Sequence, residues 1–164
     1  MSLTIQLHKK KEGTVILKCI RKDGSTTWAK LHQGMAHHDL AHIAIEKSLG
    51  FKRAFYGMLA SGVAISDYEL PDIEKPDILK GENLPKEALI AEHLVNLLCV
   101  DYFDNGDLDF LNQAQAILVQ ENLPFPEQLT RSSITIIRNN FKKLLTLWNE
   151  IPILGYFEIK FKIT

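Results

Sequence analysis

The chain has 164 residues, 46% apolar and 24% charged, and its 19 basic and 20 acidic side chains leave a formal net charge of −1. That composition excludes an intrinsically disordered chain, a collagen-like repeat and a disulfide-stapled scaffold. The length predicts one domain over residues 1–164, and the even charge balance argues against a nucleic-acid partner.

The elements follow in chain order. Leu3, Ile5 and Leu7 alternate with Thr4, Gln6 and His8, the period of a half-buried strand. A second strand is predicted over Thr14–Arg21 and a third over Thr26–Leu31. Lys22-Asp23-Gly24-Ser25 between them predicts a tight primed turn, with the three strands forming a meander. The period then becomes helical over Ala36–Leu49, closed by Gly50, and over Lys52–Ser61, closed by Gly62. Ser66–Leu84 holds six acids, two lysines and two prolines without periodicity, and predicts a long loop of the kind used as a lid or mobile segment. Three helices follow. They are Lys86–Phe103, one capped by Asp107 that runs to Gln120, and Pro126–Glu150 with a clear apolar stripe. Phe157, Ile159, Phe161 and Ile163 alternate with Tyr156, Glu158, Lys160 and Lys162 in a final strand that needs a partner. The predicted fold is α+β: a four-stranded antiparallel sheet, made of the N-terminal meander and the C-terminal strand, with about five helices on one face.

No stretch reaches the roughly 18 apolar residues of a membrane span. The N-terminal residues lack the apolar core and cleavage site of a signal peptide, so the expected compartment is the cytoplasm and no membrane partner is expected. Cys19 and Cys99 lie in apolar surroundings and read as separate thiols, not as a disulfide or metal pair. Net charge conceals an asymmetry: residues 1–35 and 131–164 are basic, and residues 36–130 hold sixteen of the acids.

Four of the six histidines, His32, His37, His38 and His42, fall within eleven residues. On a helix, His38 and His42 share a face, as do His42 and Glu46. Two imidazoles four apart can chelate one divalent ion such as zinc, as in the His-Glu-x-x-His helix. Asp39 stands where that motif has its general base and is one methylene shorter. His38 and Glu46 are about 12 Å apart along the axis, so a third ligand must come from elsewhere. His93, inside the stripe Leu89, Ile90, Leu97 and Val100, is the best candidate; Glu92 points about 100° away, so only one of the two can face the site. Two readings follow. In one, the protein is a small enzyme or metal-binding protein with His38, His42 and His93 as ligands and Asp39 or Glu46 as base. In the other it is a non-catalytic interaction module. Its histidines then complete a buried hydrogen-bond network, and its sheet or acidic loop meets a protein partner or a second copy of the chain.

Weaker signals are present. Asp101–Asn112 partly fits a calcium loop but ends in asparagine where the bidentate glutamate belongs. Lys18, Lys30, Lys160 and Lys162, with Trp28 and Tyr156, fall on the exposed sheet face, where lysines also discourage edge pairing.

His38-Asp39-Leu40-Ala41-His42-Ile43-Ala44-Ile45-Glu46, followed by Leu49-Gly50 and Ala54-Phe55-Tyr56-Gly57, resembles a family of small bacterial proteins of unknown function that share a His-Asp-Leu-x-His-x-x-x-Glu helix. The ending Leu147-Trp148-Asn149-Glu150-Ile151-Pro152, then a glycine and an alternating strand, is similar to their C-terminal part. The resemblance implies that the histidine helix is a shared feature. It supplies no substrate, and it does not extend to His93.

Overall fold

The computed structural model describes residues 1–32 and 34–163. The α+β architecture predicted from the sequence is present. Strands β1 (Ser2–Lys9), β2 (Val15–Arg21), β3 (Thr26–Leu31) and β4 (Tyr156–Lys162) form one antiparallel sheet in the order β3-β2-β1-β4. The C-terminal strand pairs with the free edge of β1, Ile5 opposite Ile159 and Leu7 opposite Phe157. Alternation fixes which face is covered. Leu3, Ile5, Leu7, Leu17, Cys19, Phe157 and Phe161 are buried, while Trp28, Glu158, Lys160 and Lys162 point outward. The sheet thus joins strands from both basic ends of the chain.

Among the described residues, five α-helices accompany the sheet: α1 (Met35–Leu49), α2 (Phe55–Ser61), α3 (Lys86–Phe103), α4 (Phe110–Gln120) and α5 (Arg131–Glu150). α1 packs against both α3 and α5, and its Leu40, Ala41, Ile43, Ala44 and Ile45 are all buried. A helix apolar on nearly every side belongs in the middle of a core. Lys9 joins β1 to the end of α5: its Nζ donates to the carbonyls of Trp148 (2.6 Å) and Ile151 (2.7 Å) and lies over the Trp148 ring. A cation is favoured there by the last carbonyls of the helix.

Several boundaries differ from expectation, each for a local reason. α5 begins at Arg131, five residues after Pro126, because Thr130 and Ser133 cap each other reciprocally. α4 is capped by Asp109 and not by Asp107. α2 starts at Phe55 because the Lys52 and Arg53 amides donate to Glu87 instead of entering a helix. The β2–β3 turn has a positive φ at Gly24 alone. Arg21 and Ser25 close a three-residue loop rather than a two-residue primed turn.

The acidic segment after α2 is shaped by short 3₁₀ turns at Ile65–Glu69, Asp77–Leu79 and Gly81–Asn83. It is pinned as well. Arg21 donates to the Leu59 and Val63 carbonyls, Thr27 accepts from the Ile65 amide, and Leu79 packs with Met58 and Val63. No helix among the described residues is long and apolar enough to cross a membrane.

Candidate functional site

α1 carries His38 and His42 one turn apart, and their rings meet edge to face with centroids 4.9 Å apart. Glu92 approaches from α3. Its Oε2 is 3.1 Å from His42 Nε2, and its Oε1 is 3.5 Å from His38 Nε2. One ligand atom from each of His38, His42 and Glu92 lies within 4.8 Å of the others. His42 is buried, His38 half-buried, and the Glu92 side chain 54% exposed.

Behind this group sits Glu46, fully buried. Its Oε1 is 2.9 Å from His42 Nδ1, and its Oε2 accepts from the Tyr56 amide at 3.0 Å. The neighbouring Gly57 amide also favours the charged form of this carboxylate. Glu46 therefore caps α2, whose own cap residue, Ala54, has no suitable side chain. Glycine at 57 is required because α2 lies so close to the preceding turn: a Cβ there would fall 2.1 Å from the Lys52 carbonyl oxygen.

Burial raises the Glu46 carboxyl above its usual range, although the His42 bond and the two amides act in the opposite direction. A carboxylate that accepts from the Tyr56 amide and faces a ring nitrogen is best served by leaving the proton on His42. Burial lowers the His42 pKa, but the bonds to Glu46 and Glu92 outweigh it and push the value up to about 10. The hydrogen bonds from His38 and His42 hold Glu92 far below the usual carboxylate range.

Asp39 is buried beside the cluster, and burial raises its pKa to about 6. Its Oδ2 has no hydrogen-bond partner within the protein, and neither has the Tyr68 hydroxyl. Asp39, His38, His42 and Glu92 all border a cavity of about 400 Å³ whose walls are mainly apolar, including Leu31, Met58 and Phe55. Ile65, Tyr68 and Leu84 bring the acidic segment to its edge.

His38, His42, Asp39 and Glu46, all singled out from sequence, thus gather at one place. His93 does not belong to the group; it is half-buried, and Glu92 occupies the third position. The signal that separates them is helix phase. The buried residues of α3 are Ile90, Ala91, Leu94, Val95, Leu97, Leu98 and Asp101, while Leu89 and Val100 are exposed. Of the expected stripe Leu89, Ile90, Leu97 and Val100, only Ile90 and Leu97 are buried, so His93 falls beside the buried face, while Glu92, on the exposed side of α3, reaches the α1 histidines from the edge of the interface. His32 and His37 are exposed. Asp101 binds Arg138 through both oxygens at 2.8 Å, so its carboxylate is already engaged and the calcium-loop reading loses its first ligand. On the open sheet face Lys18 lies opposite Trp28, and Tyr156 stacks on His8 with centroids 5.0 Å apart.

Comparison with protein-family models, with curated proteins and with solved structures gives no match. The functional reading rests on the geometry of the site.

Proposed function

We propose that the protein binds a divalent metal ion such as zinc through His38, His42 and Glu92. One observation carries this reading: two imidazoles and a carboxylate from two different helices bring a ligand atom each to within 4.8 Å of one another. In a tetrahedral zinc site with arms of about 2.0–2.1 Å, neighbouring ligand atoms stand roughly 3.4 Å apart. His42 Nε2 stands 3.1 Å from Glu92 Oε2 and His38 Nε2 stands 3.5 Å from Glu92 Oε1, so each ring already has one carboxylate oxygen near that spacing, and a turn of the carboxylate would present one oxygen to both. Glu46 supports it further. Metal-bound histidines usually donate their other N–H to a carboxylate, which fixes the tautomer and ring orientation, and Glu46 holds His42 Nδ1 in this way.

Three protein ligands at the border of a cavity would leave room for a water on the ion, the pattern of catalytic rather than structural zinc. Bound there, the ion would supply Lewis acidity and a more acidic water. Asp39 is the residue of this chain suited to hold a proton beside it, since it borders the same cavity and its buried Oδ2 has no protein partner.

A second reading has its own observation. Both His42 nitrogens have a carboxylate partner within the protein, Glu46 at 2.9 Å and Glu92 at 3.1 Å, so the cluster also suits a protein-interaction module as a structural network. Elemental analysis of protein purified without an affinity tag, followed by zinc titration, separates the two. One equivalent of zinc, lost in His42→Ala and in Glu92→Ala, is the expected result. No metal on the purified protein and no zinc uptake on titration would leave the second reading standing. Because Glu92 is half exposed, its substitution tests the ligand role with little disturbance of the core.

A further inference from the structure

We infer that the open face of the sheet binds single-stranded nucleic acid, its lysines meeting phosphates and Trp28 and Tyr156 stacking on bases. Strand register builds this face. Lys18 stands between Trp28 and Gln6, Lys30 lies opposite Ile16, Lys160 opposite Thr4, and Tyr156 opposite His8. Side chains alternate along a strand, and the neighbours of these residues are the core: Leu17 and Cys19 flank Lys18, Thr27 precedes Trp28, and Phe161 lies between Lys160 and Lys162, all of them buried. The lysines and the two aromatics therefore share the side that faces away from the helices.

Charge selects a polyanion. Lys18, Lys30, Lys160 and Lys162 share this face with one strand carboxylate, Glu158, and Gln6 Nε2 already donates to it at 2.7 Å. None of the four lysines makes an ion pair among the described residues. The formal charge of −1 is an average over a chain whose acids lie mostly in residues 36–130, and the sheet is drawn from outside that range. An even balance over the whole chain thus does not describe this surface. Glu69 bounds it, in a groove with Trp28 and Lys30 at the outer edge of β3. Lysines on edge strands also deter pairing with another sheet, but Lys18 sits on β2, which is paired on both sides.

The aromatics select a single strand. Trp28 is 62% and Tyr156 52% exposed. A duplex keeps its base faces stacked on one another, and an acidic peptide has none, whereas an unpaired strand can lay its bases on aromatic side chains. Trp28 is on β3 and Tyr156 on β4, the two outer strands. Three strand spacings of about 4.8 Å place them roughly 14 Å apart across the sheet, with Lys18 between. The face lies on the opposite side of the sheet from α1, and the inference does not depend on the metal reading.

Chelator-treated protein freed of nucleic acid and titrated with an oligothymidylate of about 15 nucleotides tests the inference. Trp148 is buried and Trp28 is the other tryptophan of the chain, so intrinsic fluorescence should be quenched on binding, and Trp28→Ala should abolish the quench. By anisotropy of a labelled strand, Trp28→Ala should weaken binding by about fivefold or more. Affinity should fall as salt rises between about 50 and 200 mM, and Lys18→Gln combined with Lys160→Gln should reduce the slope of log affinity against log salt by about 1.4. All these side chains are exposed or half-buried, and unchanged circular dichroism will show that the variants fold. No binding of the oligothymidylate overturns the inference. So does equal or tighter binding of a duplex of the same length or of polyglutamate, which would make the face a general anion patch or a peptide site, and so does binding that survives both sets of substitutions. Zinc uptake is measured separately, so failure of the metal site leaves this result standing and the reverse holds too.

Discussion

His42 is gripped from both sides, at Nδ1 by Glu46 and at Nε2 by Glu92. Burial alone would lower its pKa, and those two partners instead raise it to about 10. A histidine whose folded pKa exceeds its unfolded value of about 6.5 contributes stability that is complete below pH 6.5 and is lost as pH rises through the folded value. The metal-free protein should therefore lose stability between about pH 6.5 and pH 10, on the order of 1 kcal/mol per pH unit. His42→Asn, neutral at every pH, should flatten that slope, and urea melts at several pH values will show whether it does. The two thiols differ in a related way. Cys19 is fully buried in the sheet, and burial pushes its pKa up to about 12; Cys99 is half-buried and raised less far. Iodoacetamide at pH 8 should modify Cys99 alone in the folded chain and both thiols in guanidinium, as read by mass spectrometry. Modification of native Cys19 at the rate of Cys99 would contradict its placement.

At the scale of elements, α3 and α5 are joined by the charged pair Asp101–Arg138. Asp101, 1% exposed, accepts two bonds from Arg138, which also donates to the Leu108 carbonyl in the connection leading to α4. Removing only the cation strands a buried carboxylate, which costs about 3 kcal/mol or more, whereas replacing both partners by apolar residues is often near neutral. Arg138→Met should thus lower the denaturation midpoint sharply, and Asp101→Leu combined with Arg138→Met should recover most of the loss. A double variant no better than the single one would mean that the Leu108 carbonyl bond carries the effect. The elements themselves were largely legible in the chain, because the period changes from two to helical after β3 and back again at Tyr156. Their starts were less so. Thr130 with Ser133 could be found from sequence as a capping pair, but Glu87 holding the Lys52 and Arg53 amides is a contact across 34 or more residues that no local pattern announces.

Across the whole molecule, the candidate site exists only because α1 and α3 pack together. The His38–His42 half lies in one helix and follows from a spacing of four. Glu92 lies off the buried stripe of α3, and its approach to the α1 histidines is set by how α3 packs against α1 and α4, not by any feature of residues 86–103 alone. The cavity was less legible still, since its walls come from β2, β3, α1, α2, α3 and the acidic segment at once. This division has a thermodynamic consequence. An ion held by His38, His42 and Glu92 ties α1 to α3, and the three ligands are gathered only in the folded chain. Binding to the native state alone stabilises by about 2.7 kcal/mol when the free ion is at 100 times its dissociation constant. For a chain of 150–250 residues each kcal/mol raises Tm by roughly 2–4 °C. Zinc at that excess should raise Tm by about 5–10 °C in scanning calorimetry, and Glu92→Ala, which leaves the α1 pair intact, should abolish most of the rise. A Glu92→Ala protein that gains as much as the native chain would show that α1 binds zinc alone, and the bridge between the two helices would then have no part in it.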